Sequence, residues 1–177
     1  GCHRWAPHSG SYNRTARQAA LPGRKMPLLT LSHRRLGRIL PPGNPLKLSG
    51  LSDLAQPRVR FVNRQPGSGT RVWLDAMLEQ AGIDPHHIQG YSDERLTHSD
   101  VARAVAEGAA SSGLGLESAA LAYGLDFIFL TRERYDLVAP AEALSQPPLD
   151  ALANWLASPA GQSFISRFPG YENQETG

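Results

Sequence analysis

Cysteine is almost absent from this chain. Cys2 is the only one, which excludes a disulfide framework and any zinc site built on cysteine. No apolar run approaches the ~20 residues a membrane-spanning helix needs. The chain does not begin with Met, and no charged segment followed by an apolar one opens it, so no signal peptide is visible. A cytoplasmic location is expected, or a periplasmic one if a leader has been removed. His-Glu-x-x-His is missing, and adjacent histidines such as His86-His87 in a turn point apart, so no metal ligand set is expected. Gly69 is followed by Thr70-Arg71 where a phosphate loop would place lysine, which argues against nucleotide hydrolysis. Gly113-Leu-Gly-Leu-Glu-Ser118 has a serine after a glutamate where a dinucleotide fingerprint needs its third small residue. Acids are scarce early on. Residues 1–60 hold 11 Lys/Arg and only Asp53, a net charge of +10, while residues 61–177 hold 7 Lys/Arg against 15 Asp/Glu. Such asymmetry is compatible with an anionic partner, yet the arginines are scattered among Pro, Gly and apolar residues and form no basic helix.

Glycine and proline are plentiful, at 17 and 14 residues. They frame the most informative stretch, Arg60-Phe-Val-Asn-Arg-Gln-Pro-Gly-Ser-Gly-Thr-Arg-Val-Trp-Leu-Asp75. The apolar run Val59 to Val62 leads into Pro66-Gly67-Ser68-Gly69-Thr70. Trp73, Leu74, Met77, Leu78 and Ala81 then fall at helical spacing, with Ser68 or Thr70 as N-cap and Gly82 as the left-handed C′ residue. Unpaired N–H groups, the positive end of a helix dipole, two hydroxyls and Arg71 would converge at that helix start, which is an anion-binding design. A capped helix with a Gly-rich entry and nothing bound fits the local pattern equally well.

Further along, strands and helices alternate. Met26–Leu31 and Leu36–Leu40 read as two strands, 50–55 as one helical turn capped by Ser49 or Ser52, and 89–92 as a short strand. Thr97 caps a helix carrying Val101, Ala102, Val105 and Ala106, with Asp100 at its third position. Residues 111–116 read as a buried strand, Glu117-Ser118 starts a third helix, and Phe127–Leu130 and Tyr135–Ala139 read as two strands. Helices follow Pro147-Pro148 and Ser158-Pro159. The alternation predicts an α/β sheet with both faces covered, and ligands in such sheets sit at the carboxyl ends of strands. Three expected helix starts carry hydroxyl residues, at Ser68/Thr70, Thr97/Ser99 and Ser118.

Taken together, Asn63-Arg-Gln-Pro-Gly-Ser-Gly-Thr-Arg71, Thr97-His-x-x-Val-Ala-x-Ala-Val-Ala-x-Gly108, Gly113-Leu-Gly115, Leu125-Asp-Phe and Glu133-Arg-Tyr-Asp136 resemble the periplasmic-binding-protein-like domain of molybdate-type regulators. The opening Gly-Cys-His, Tyr12-Asn13, Pro42-Gly-Asn-Pro45 and the closing Phe168-Pro-Gly-Tyr171 match as well, so the resemblance covers nearly the whole chain in order. It implies a two-lobed type 2 solute-binding fold with a hinge and a ligand cleft. It also implies an oxyanion ligand such as molybdate or tungstate, no cofactor, and a fused or separate DNA-binding module or transporter as partner. The family's domain opens with a further strand, loop and helix before Gly-Cys-His, so the N-terminal part of lobe one is expected to be missing. Where the family has Ala-Asp before Gly-Leu-Gly, this chain has Ala110-Ser111.

The expected division is 1–61 as a partial lobe one with hinge, 62–137 as lobe two, and 138–177 as helices returning to lobe one. The leading expectation is non-enzymatic oxyanion binding for sensing or transport. Ser68, Gly69 and Thr70 would give hydroxyl and backbone donors, Arg71 a charge, and His98 and Tyr135 donors from the opposite wall. The alternative is a regulatory module docking on DNA or a partner protein through the basic N-terminal half, with Arg34, Arg35 and Arg38 as its contacts. A hydrolase using Ser68 and His98 is a third reading. An incomplete lobe one would leave an open sheet edge and apolar surface, so self-association into a homo-oligomer is expected.

Overall fold

A computed structural model describes residues 27–173 together with one short ladder near the start, β1 (Trp5–Ala6) antiparallel to β2 (Ser11–Tyr12). Gly1-Cys2-His3, Asn13 and the turn expected at Pro22-Gly23 lie outside the described residues. The chain divides into two compact units, residues 35–131 and residues 1–34 with 132–177. Two strands run from one unit into the other: β3 (Leu28–Leu40) and β7 (Asp126–Val138).

The unit 35–131 contains β4 (Phe61–Arg64), α1 (Gly69–Gln80), β5 (Glu94–Arg95), α2 (His98–Ala106), β6 (Ser112–Leu116) and α3 (Glu117–Ala122). The strand order is β5-β4-β6-β3-β7. β4 is parallel to both neighbours, with Val62 opposite Gly113 and Arg64 opposite Arg95, whereas β3 runs antiparallel to β6 from Leu36↔Leu116 to Ile39↔Gly113. Parallel neighbours require a crossover, and α1 and α2 are those crossovers. On one sheet face Ile39 and Val62 pack with Val101, Ala102 and Val105 of α2 and with Ala119 and Ala120 of α3. α1 buries Trp73, Leu74 and Leu78, and Phe61 and Leu114, which alternate with the first set, are buried too. β4 is buried at all four positions, as a central parallel strand should be.

Helix ends follow the expected chemistry. Ser68 caps α1, and at its far end Ile83 N–H reaches Leu78 O while Gly82 takes φ +65°. The turn at 50–55 is a 3-10 helix, Leu51–Ala55, whose N-cap is Gly50; Asp53 accepts the Ser49 and Gly50 N–H groups there.

Three expectations need correction. The two strands expected at Met26–Leu31 and Leu36–Leu40 are one continuous β3 of 13 residues, because Arg34 and Arg35 find acids, Glu133 and Glu117, at 2.9 and 2.7 Å. The pair expected at Phe127–Leu130 and Tyr135–Ala139 is likewise one strand, β7. The strand expected at 89–92 is displaced to β5, with Gly90 O instead accepting Asp93 N–H in a turn. Residues 35–61 fall in the unit 35–131, where the second half of β3 pairs with β6 and Leu40, Leu48, Leu54 and Val59 are buried.

In the other unit, β8 (Tyr171–Glu172) pairs antiparallel with β3 at His33 and Arg34. The helices α4 (Ala141–Leu144), α5 (Leu149–Ala157) and α6 (Pro159–Ser166) follow β7, and Ser158 caps α6. Leu29, Leu156 and Ile165 form its core with Leu31, Leu137 and Leu152. Trp155, Phe164, Phe168 and Tyr171 stack edge to face in series at 5.2 to 6.2 Å. They line a groove of about 350 Å3 with Leu31 and Tyr135, and Trp155, Phe164 and Phe168 stay 40–47% exposed. Among the described residues no helix is long and apolar enough to cross a membrane.

Gly37 tests the β3–β7 contact, since a Cβ there would meet the Ile128 carbonyl oxygen at 2.1 Å and the Phe127 ring at 2.5 Å. Gly37→Ala is expected to destabilise the chain by about 3 kcal/mol, against about 1 kcal/mol for Gly43→Ala, whose cost is backbone strain alone; urea denaturation with equal losses would refute the tight contact. The exposed aromatic series predicts concentration-dependent light scattering, reduced in the Phe164→Ser/Phe168→Ser variant. A monodisperse monomer at every concentration would refute self-association through this surface.

Candidate functional site

The parallel register places the ends of β4, β5 and β6 at one edge of the sheet, and a helix starts after each. Three helix N-termini therefore open at that edge, each offering N–H groups without intrahelical acceptors. Their first turns differ. α2 carries Asp100 in a capping box, in which Asp100 N–H donates to Thr97 Oγ1 at 3.0 Å and Thr97 N–H donates to Asp100 at 3.2 Å. α3 begins with Glu117, itself paired with Arg35 at 2.7 Å, and has no side-chain cap. Only α1, of these three, has no acid in its first turn.

At α1, Gly67 adopts φ +81°, a conformation that favours glycine, and brings the chain round to Ser68. Ser68 Oγ accepts the Arg71 N–H at 3.2 Å, and Ser68, Gly69 and Thr70 are all buried. The Gly69 and Thr70 N–H groups belong to the turn that has no carbonyl to bond. Arg71 already has partners of its own. Its Nε donates to Asp75 at 2.9 Å, its Nη1 lies 3.3 Å from both the Arg64 carbonyl and Glu94, and its guanidinium covers the Tyr91 ring at 4.2 Å. Burial alone would lower the Arg71 pKa, but its bonds to Tyr91 and Asp75 outweigh that and hold it above the ordinary value. Desolvation, then the bond to Asp75, pushes the Tyr91 hydroxyl pKa up, so it stays protonated and donates to Asp75 at 2.5 Å.

His98 is the first residue of α2, and its Nδ1 lies 3.5 Å from where a Cβ on Gly115 would stand. The Val62↔Gly113 register, carried two residues on, sets Gly115 level with Arg64. Arg64 was passed over in the sequence reading. It ends β4, is 6% exposed, and donates from Nη2 to the Leu96 carbonyl at 2.8 Å, so a buried cation links the approaches to α1 and α2. The available signal was an arginine closing an apolar strand just before a Gly-rich turn. Ser68, Gly69, Thr70, Arg71 and His98 thus share one unit, and Ser118 begins α3 in the same unit. Tyr135 belongs to the other unit, where Arg34 covers its ring at 4.4 Å. Of the three arginines of the alternative reading, Arg34 and Arg35 pair with acids, and Arg38 is 1% exposed, 3.8 Å from Asp53. Among the described residues no group of three or more His, Cys, Asp or Glu side chains is placed to hold a metal ion.

Strand ends with helix starts at one edge, in a chain of two units joined by two long strands, define the type 2 binding-protein-like class of α/β fold. Residues 1–157 match the PBP-like family, the PBP superfamily domain, and the chain belongs to it. It is 33% identical over 175 residues to the uncharacterized protein YvgK of Bacillus subtilis (strain 168), covering 99% of this chain and 56% of that protein. The chain therefore spans little more than half the length of that relative. Among solved structures, one described as a phosphate ABC transporter substrate-binding protein with bound phosphate, from Clostridium perfringens, superposes with a TM-score of 0.67 at 13% identity, over 97% of this chain and 76% of that one. L-phospholactate-bound PEB3 superposes with a TM-score of 0.60 at 20% identity, over 84% and 68%; Peb3 is a Campylobacter jejuni protein.

The capping box generates a pH prediction. The hydrogen bond from Thr97, above all, holds the Asp100 pKa below the ordinary carboxylate value. A depressed folded pKa means stability that is present above the unfolded pKa of ~3.9 and lost as pH falls through the folded value. Asp100→Ala should therefore be less stable than the parent at neutral pH, with the gap closing in acid below about pH 4. A gap that is constant from pH 7 to pH 2 would refute it.

Proposed function

We propose that this chain is a non-enzymatic binding domain for a small oxyanion, of the molybdate or tungstate kind, held at the start of α1 for sensing or transport. One observation carries the reading: α1 alone among the three helices at the strand-end edge has no acid in its first turn, while Ser68, Gly69 and Thr70 are buried there. An uncompensated helix N-terminus with glycine beside it favours an anion through fixed N–H donors and the helix dipole. Arg64 and His98 stand at the same edge and would add charge and a donor. The family is typically one of non-enzymatic binding proteins, and two structural neighbours hold phosphate and L-phospholactate. The motif resemblance to molybdate-type regulators narrows the ligand to the larger tetrahedral oxyanions and suggests a DNA-binding module or a transporter as partner.

Isothermal titration with molybdate, tungstate, sulfate and phosphate tests this. Binding of at least one of them is expected, weakened about tenfold by Thr70→Pro, which removes one N–H donor at a position where a helix tolerates proline. No heat and no thermal stabilisation with any of the four would end the oxyanion reading.

A further inference from the structure

Arg71 is the one cation on α1, and acids of this same chain already hold it. Its contacts are unequal. Nε donates to both Asp75 oxygens, at 2.9 and 3.2 Å, the Tyr91 ring lies 4.2 Å beneath the guanidinium, and the Tyr91 hydroxyl donates to the same Asp75 carboxylate at 2.5 Å. Those three groups close a triangle that fixes the plane of the guanidinium. The other side is looser. Nη1 has two long contacts, each 3.3 Å, to the Arg64 carbonyl and to Glu94, and the Glu94 side chain is 36% exposed. Glu94 sits on β5, the outermost strand of its sheet and only two residues long. A long ion pair on an edge strand is weak and exchangeable, whereas Asp75, though 44% exposed, is bound at both oxygens and braced by a phenol.

We propose that Glu94 is a built-in competitor for the anion: it occupies the Nη1 donor of Arg71, and an oxyanion seated at the start of α1 takes that donor from it. Asp75 and Tyr91 are positioning residues that keep the guanidinium in place while the partner of Nη1 changes. The inference rests on the oxyanion reading above and deepens it, because it makes affinity depend on a carboxylate outside the Gly-rich turn.

The test is titration of the 177-residue chain with molybdate and with sulfate at fixed ionic strength, comparing the parent with Glu94→Gln, Asp75→Asn and Tyr91→Phe. Glu94→Gln should tighten binding roughly two- to fivefold, the factor that the worth of an exposed ion pair corresponds to. Asp75→Asn and Tyr91→Phe should weaken it. The NMR signal of the Arg71 Nε–H, read without anion, separates positioning from general stability: it should stay protected from exchange in Glu94→Gln and lose protection in Asp75→Asn. Should Asp75→Asn fail to fold, Tyr91→Phe gives the same reading. Parent binding with unchanged or weaker affinity in Glu94→Gln overturns the competitor role and leaves the oxyanion reading standing. An absence of binding in the parent and in every variant sinks both, and lost Nε–H protection in Glu94→Gln makes Glu94 part of the brace and overturns the exchange.

Discussion

Parallel pairing of β4 with both β5 and β6 is the constraint from which the rest of the unit 35–131 follows. A parallel neighbour can be reached only by a crossover, so each strand end is followed by a helix start at the same edge. The donors gathered there are backbone groups first and side chains second. Close packing on one face then fixes how near α2 stands. A Cβ on Gly113 would meet Val101 Cγ1 at 2.4 Å, so glycine in β6 sets the depth at which α2 docks and with it the position of His98. Topology, packing and the site are therefore one problem with one solution.

Electrostatics explains the uneven composition. The basic first third and the acidic remainder meet inside the fold, through Arg34 with Glu133 and Arg35 with Glu117. Arg38 is buried at 1% exposure, and desolvation lowers its pKa while nearby Asp53 partly restores it. Asp53, in turn, is held low in pKa chiefly by the N–H groups of Ser49 and Gly50. Part of the charge split that suggests a nucleic-acid partner in the linear chain is thus spent on internal pairing in the folded one.

Local features were legible in the sequence. α1 followed from Trp73, Leu74, Met77 and Leu78 at helical spacing, and its Ser68 cap and Gly82 ending from residue chemistry alone. The Thr97–Asp100 capping box was equally plain, because both partners lie within one turn. Features that depend on distant partners were not. β3 looked like two strands because Ser32-His33-Arg34-Arg35 breaks its apolar pattern, and the acid that steadies Arg34 is 99 residues away. Arg71 looked free to face an anion because its Glu94 partner belongs to a two-residue strand with no periodicity to read. Arg64 escaped notice for the same reason, its carbonyl partner being Leu96.

What these pairings leave at the start of α1 bears on selectivity. Each acid near the three helix starts already has a donor: Asp75 has Arg71 and Tyr91, Glu94 has Arg71, Asp100 has Thr97 and Glu117 has Arg35. Backbone N–H groups of a helix can only donate, and their directions are fixed by the helix. Under the oxyanion reading, an ionised ligand oxygen accepts from those N–H groups more strongly than a protonated one, because charge-assisted hydrogen bonds are the stronger kind. A fully ionised tetrahedral anion brings only acceptors to α1. Discrimination between oxyanions of similar size would then come from their protonation state, with α1 reading lone pairs.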